Sequence, residues 1–165
     1  MLDEQKMELM RIETTLIQVD IADEQRLRTI DDALADRLIE AVRIVAGDYG
    51  FQKGEVSIAI LDDAAIRVVN RDYLRHDWAT DAITFPFEAS DGFLEGEILV
   101  SRETADRVAI TLPWSGDDEL LLYVIHGTLH LVGLDDQDDA ALAIMKAEER
   151  KYLIHFKVPE AATHQ

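Results

Sequence analysis

Apolar residues alternate with polar ones at Ile17, Val19 and Ile21, the period of a strand with one buried face. The period then lengthens: Leu34, Leu38, Val42 and Val45 recur at helical spacing, and Gly47 and Gly50 punctuate the end of that helix. Alternation returns at Val56, Ile58 and Ile60, a second strand closed by Asp62 and Asp63, which suit the start of a helix carrying Ile66, Val69 and Tyr73. "DAITFPF" (81–87) and "GEILVS" (96–101) read as a hairpin, joined through "EASDGFLE" with its Asp91-Gly92 turn signal. Phe85 and Phe87 share one face of their strand, which assigns both to the core.

Ser101 can cap a helix carrying Ala105, Val108, Ala109 and Leu112, with Pro113 as its stop. Ser115 and Asp118 have capping-box spacing ahead of a more apolar helix. A last helix runs from about Asp138 through Leu142, Met145, Tyr152 and Leu153 to a polar tail that starts at about residue 158. The order β α β α β β α α α predicts one α/β domain over residues 1–165, built on a mixed sheet of about four strands with helices on both faces. No repeat, low-complexity segment or linker divides it.

Composition sharpens this in three respects. The chain is 165 residues long and 48% hydrophobic, enough for one self-sufficient core. It has no cysteine, so any metal must be held by histidine and carboxylate, and a reducing compartment fits. Its formal charge of −18 argues against a protein that merely coats nucleic acid, although a local basic groove remains compatible. The start "MLDEQKMELMRIE" lacks a leader pattern and no apolar run approaches the roughly 20 residues of a membrane span, so a cytoplasmic protein is expected.

One segment breaks the pattern of a buried helix: "LLYVIHGTLHLVGLDDQDD", residues 121–139. His126 and His130 are one turn apart and leave the same face, where two buried imidazoles need partners. Two satisfied core histidines would share this spacing. Gly133 and Asp136 shift the balance, because a left-handed glycine ends the helix and lets the next loop return a carboxylate to the histidine pair. Two helical histidines and one loop ligand leave an open fourth position, the construction of a catalytic zinc site. Asp135, Asp138 and Asp139 compete with Asp136 for the third place. A zinc peptidase of this spacing carries a glutamate base after the first histidine; here that residue is Gly127.

"HGTLHLVGLDD" resembles the signature His-Gly-x-Leu-His-Leu-x-Gly-Tyr-Asp-His of the YbeY family of endoribonucleases. "VNRDYLRHDWATDAITFPFE" (69–88) is similar to the family's Leu-Asn-x-x-Tyr-Arg-Gly-x-Asp-x-Pro-Thr-Asp-Val-Leu-Ser-Phe-Pro, sharing Asn70, Tyr73, Asp77, Thr80, Asp81, Phe85 and Pro86. "EGEILVS" resembles its Gly-Asp-Ile-x-Ile-Ser strand, and Met145 with Glu148 or Glu149 falls where the family has a Met and a Glu. The likeness spans roughly residues 55 to 150. Two positions depart from it: the third ligand is Asp136 in place of His, and the arginine after Tyr73 is replaced by Leu74, with Arg75 one place on.

The resemblance implies a metal-dependent endoribonuclease that prefers single strands and acts in ribosomal RNA maturation, including the 3′ end of 16S RNA, and in ribosome quality control. It further implies one zinc or other divalent ion on His126, His130 and Asp136, a catalytic role for Arg75, and ribosomal RNA and ribosomal particles as partners, with no DNA and no membrane. Arg71 and Arg67 are further phosphate candidates, or an ordinary solvated face beside Asp63 and Asp72. Trp78 reads as packing rather than as a base-stacking ring. Thr80 and Asp81 are assigned neither catalysis nor metal binding. Two other classes stay open: a metallopeptidase or other metal hydrolase, and a non-catalytic ribosome-associated factor with a structural metal.

Overall fold

The computed structural model describes residues 1 and 3–160, and the side chains of all of these except 10–15. The chain runs α1 (Glu4–Thr15), β1 (Gln18–Asp23), α2 (Asp32–Asp48), β2 (Lys53–Leu61), α3 (Asp63–Leu74), β3 (Ala82–Ser90), β4 (Phe93–Ser101), α4 (Arg102–Ala109), α5 (Gly116–Leu131) and α6 (Asp139–His155). The expected elements are present in the expected order. The addition is α1, whose described side chains are exposed, so no apolar period betrays it. Its sequence, EQKMELMRIETT, is made largely of strong helix formers. The tail expected after about residue 158 lies, from 161 on, outside the described residues. No helix among the described residues is long and apolar enough to cross a membrane.

The sheet order is β1-β2-β4-β3. β1 pairs with β2 and β2 with β4 in parallel, Ile21 opposite Ile58 and Ile58 opposite Ile98, while β3 lies antiparallel to β4. The β3–β4 turn is tighter than its sequence suggests: the strands extend to Ser90 and from Phe93, and left-handed Asp91 and Gly92 alone make the turn. Pro86 is tolerated because β3 is an edge strand, and the register slips between Pro86 and Glu88. That bulge turns Phe87 outward, 63% exposed, which corrects its assignment to the core. Phe85 stays half-buried against the ring edge of Tyr73.

Helices cover both faces unequally. Val56, Ile58, Ile60, Leu94, Ile98 and Val100 form the main core with Leu38, Val42 and Val45 of α2, Ala105 of α4 and the apolar side of α5. On the other face α3 alone closes a small cluster of Leu61, Ile66, Ile83 and Leu99. Asp63 joins α3 to α4, accepting hydrogen bonds from Ser101 Oγ (2.7 Å), Thr104 Oγ1 (2.6 Å) and Arg107 Nη1 (2.7 Å). Burial of this carboxyl raises its pKa, but the three donors outweigh burial and bring it down to about 2.

Its contribution to stability is therefore complete above the ordinary aspartate value of about 3.9 and is lost as pH falls through about 2. Asp63→Ala should cost about 1–3 kcal/mol, read as a lower urea midpoint at unchanged slope at pH 7, and the gap to wild type should close below about pH 2.

Candidate metal centre

The centre is built on α5, and its start is set by a complete capping box: Ser115 Oγ accepts from the Asp118 amide, and the Asp118 side chain accepts from the Ser115 amide. Gly127 fixes how the helix is turned. A Cβ at this position would lie 2.6 Å from Ile98 Cγ2 and 3.1 Å from Thr84 Cγ2, so this side of α5 lies directly on β3 and β4. Its neighbours in sequence, His126 and His130, consequently emerge beside the sheet rather than into it. The helix ends in a Schellman turn: Gly133 at φ 109° donates to the His130 carbonyl and the Leu134 amide to the Leu129 carbonyl, each at 3.0 Å.

That turn brings the Leu134 carbonyl to 3.0 Å from His130 Nδ1. A carbonyl only accepts, so Nδ1 carries the proton and Nε2 is a bare lone pair when the ring is neutral. His126 Nδ1 lies 2.6 Å from the Glu149 carboxylate of α6, which fixes that ring the same way. The two Nε2 atoms stand 3.0 Å apart, with Asp136 Oδ2 3.3 Å from His130 Nε2 and 3.5 Å from His126 Nε2. With both rings neutral, three acceptors converge with no donor among them, an arrangement that a cation, whether a metal ion or a proton on His126, stabilises. Ligands about 2.0–2.1 Å from a tetrahedral zinc stand about 3.3 Å from one another, which these separations match. Burial by itself lowers the pKa of His126, but the hydrogen bond and charge of Glu149, with Asp81 and Asp136, hold it above its ordinary value. The pocket's potential is therefore cation-seeking.

The other acidic residues of the loop have separate work. Asp135 accepts the amides of Asp136 (2.7 Å) and Gln137 (3.1 Å), and Asp138 caps α6 through the Ala141 amide (2.7 Å). Asp136 is the carboxylate that joins both histidines among the described residues. Between the two glutamates of α6, Glu149 reaches the site, while Glu148 accepts from Tyr49 Oη at 2.7 Å. Spacing could not separate adjacent helical residues pointing about 100° apart until the packing of α6 on α5 was known.

Asp81 also bears on the site, its charge acting on His126, Glu119 and Tyr123. The motif around it held that signal, but nothing in the pattern tied it to the histidine pair. Glu119 and Tyr123 were missed because they read as ordinary helix positions. Both are 5% exposed and continue the His126 side of α5 toward its start. Trp114 Nε1 donates to Glu119 at 2.7 Å; burial raises the Glu119 pKa, while that bond and one from Tyr123 lower it, and the net direction is up.

Arg75 is not brought into the cluster by any hydrogen bond or ion pair of the described residues. It caps α3 with a left-handed backbone, φ 59° and ψ 29°. In the aligned segment it stands on the glycine of Tyr-Arg-Gly, and glycine is the residue that adopts this conformation without strain. Arg67 pairs with Asp77 at 2.9 Å and Arg71 with Asp72 at 3.0 Å, both pairs exposed, while Asp63 is taken up by Ser101, Thr104 and Arg107. Trp78 is not packing: it is 57% exposed and lies flat against His76, rings 4.6 Å apart at 9°.

Fold and site together define an α/β domain that presents a three-donor, metal-competent centre from one helix and the loop after it. A family model described as Endoribonuclease YbeY matches residues 19–157, so the likeness extends back over β1 and α2. Proteins named Endoribonuclease YbeY are 45% identical over 114 residues in Rhodopirellula baltica, 39% over 126 in Chlorobaculum parvum and 37% over 130 in Chlorobaculum tepidum. These alignments cover 68%, 76% and 79% of this chain and 59%, 86% and 92% of the respective relatives. The solution structure of TM1509 from Thermotoga maritima superposes with a TM-score of 0.58 at 22% identity, over 85% of this chain and 92% of that one, and shares the fold. The chain belongs to the YbeY family of endoribonucleases, hydrolases of RNA phosphodiester bonds.

Gly127→Ala isolates the constraint that orients the site. Alanine favours a helix by about 1 kcal/mol over glycine, yet its methyl would press on buried Ile98, at a typical overpacking cost of about 1–3 kcal/mol. A lower melting temperature is expected despite the better helix former.

Proposed function

We propose that this protein is a metal-dependent endoribonuclease acting on single-stranded RNA in ribosomal RNA maturation, with ribosomal particles as partners and the cytoplasm as its compartment. The observation that carries the metal dependence is the convergence of His126 Nε2, His130 Nε2 and Asp136 Oδ2 within 4.8 Å, with no donor between them. His126, His130 and Asp136 would hold one zinc or similar divalent ion, which when bound supplies Lewis acidity toward a phosphoryl oxygen. Glu149 and the Leu134 carbonyl keep the two Nε2 lone pairs available by binding the Nδ1 protons. The three donors remain 25%, 23% and 31% exposed, which leaves the substrate side open, whereas structural zinc sites are closed by four protein ligands. This favours catalysis over a purely structural metal.

A peptidase mechanism is disfavoured by Gly127. The position that would hold a glutamate base faces Ile98 and Thr84 and has no room for a side chain. Positive charge for the phosphate comes from α3. Arg67 and Arg71 lie along that helix and Arg75 caps it in a chain of net charge −18, and the first two are paired in exposed salt bridges weak enough for a phosphate to compete with. Exposed Trp78, backed by His76, offers a face for an unpaired base. Arg75 acts on the transition-state charge in this scheme, and its strained backbone is the kind of feature that function retains.

Metal analysis should find one ion per wild-type chain and none in His130→Ala or Asp136→Ala, while Glu149→Gln should weaken metal affinity by about 10–100-fold without emptying the site at excess metal. Full occupancy in Asp136→Ala would move the third ligand elsewhere. Wild-type protein should cut single-stranded RNA and leave casein intact, and chelation should abolish the cut. Arg75→Gly relieves the left-handed strain, so it should leave thermal stability undiminished while slowing cleavage by about 10²-fold or more. An unchanged rate would remove Arg75 from the mechanism.

A further inference from the structure

Between α5, α6 and residues 158–160 lies a groove of about 410 Å3, walled by Trp114, Leu122, Leu153 and Ile154. Its volume lies in the range of about 300–1,000 Å3 that small-ligand sites occupy. The groove and the metal centre have Glu149 in common. Glu149 lines the groove and holds His126, and Leu122 precedes His126 by one turn on the same side of α5. Lys146 and Arg150, one turn apart on α6, form its charged rim. The acidic groups there are engaged, Glu149 with His126 and Glu160 with Arg150 at 3.2 Å. Lys146 is exposed and has no hydrogen bond or ion pair among the described residues.

We propose that this groove is a subsite for an unpaired nucleotide flanking the phosphate that is cut, its base lodged among Trp114 and the aliphatic walls and its own phosphate on Lys146. The proposal rests on the endoribonuclease reading above. An aromatic and aliphatic groove with an unpaired cation at its edge fits a nucleotide, which is an apolar-faced ring joined to an anion. An apolar peptide would leave Lys146 unused. Trp114 Nε1–H is already donated to Glu119, so the indole offers surface without a free donor and the subsite accepts any base.

The chain has two tryptophans, so Trp78→Phe leaves Trp114 as the sole reporter. The metal-loaded variant is titrated with a short single-stranded 2′-O-methyl oligouridylate and with its adenylate counterpart, following emission and, with labelled oligomer, anisotropy. Both should quench Trp114 with similar affinity. Lys146→Ala, a change at an exposed residue, should weaken binding by about 10-fold and reduce the logarithmic salt slope by about 1. Binding seen by anisotropy with unchanged Trp114 emission and no effect of Lys146→Ala overturns the subsite while leaving the nuclease assignment intact. Quenching by the oligomer, with no cleavage of natural RNA, keeps a nucleotide site in the groove but overturns both its place beside a cut phosphate and the nuclease assignment. No binding at low salt by the wild-type chain, read by anisotropy, overturns both the subsite and the nuclease assignment. Trp114 emission that responds to deletion of residues 161–165 or to protein concentration, and not to RNA, gives the groove to the chain's own end or to a second copy, and overturns the proposal.

Discussion

The closeness with which α5 lies on the sheet governs everything around the site. Gly127 has no side chain because Ile98 and Thr84 occupy the space, and Gly96 of β4 has none because Leu131 of α5 and the Phe85 carbonyl occupy that space. Two missing side chains, one from each partner, let helix and strand approach and lock the rotation of the helix about its axis. Once the rotation is locked, Leu120, Val124 and Leu131 must enter the core, and His126 and His130 must emerge at its margin. A helix turned by even a third of a turn would bury the imidazoles or strand them in water.

The histidines are then held from behind at the ring nitrogens that do not face Asp136. One anchor is a backbone carbonyl presented by the Schellman turn, the other a carboxylate from α6. Both anchors accept protons, and that is why the opposite nitrogens converge as lone pairs. The contacts Tyr49–Glu148 and Tyr152–Asp48, each 2.7 Å, tie α6 to the end of α2 and so hold Glu149 in position. Asp136 adds negative charge to a centre already backed by Glu149 and near Asp81, which favours a divalent cation over a neutral occupant.

A net charge of −18 sets a constraint on any RNA enzyme, since most of the surface must repel the substrate. Among the described residues, α3 carries Arg67 and Arg71 with Arg75 at its cap, while Lys146 and Arg150 of α6 line the groove next to Glu149. A strand of RNA guided by so few cations would bind in a strongly salt-dependent way and be rejected elsewhere on the surface.

The sequence by itself determined the order of elements, the caps at Asp62, Ser101 and Ser115, and the return of a loop carboxylate toward His126 and His130, because each depends on interactions within a few residues of chain. Family motifs pointed to the chemistry for the same reason, being contiguous. Tertiary structure alone decided what depends on distant partners. It chose Glu149 over its neighbour Glu148 by the way α6 packs on α5. It turned Phe87 outward through a bulge next to an edge-strand proline, and it left Trp78 exposed on His76. It also showed that Arg75 occupies a left-handed cap where the helical period no longer applies, so that no count along the helix could say where its side chain goes. Periodicity reports which face of an element is apolar; the rotation of that face against another element is set by packing, and at this site packing is set by two glycines.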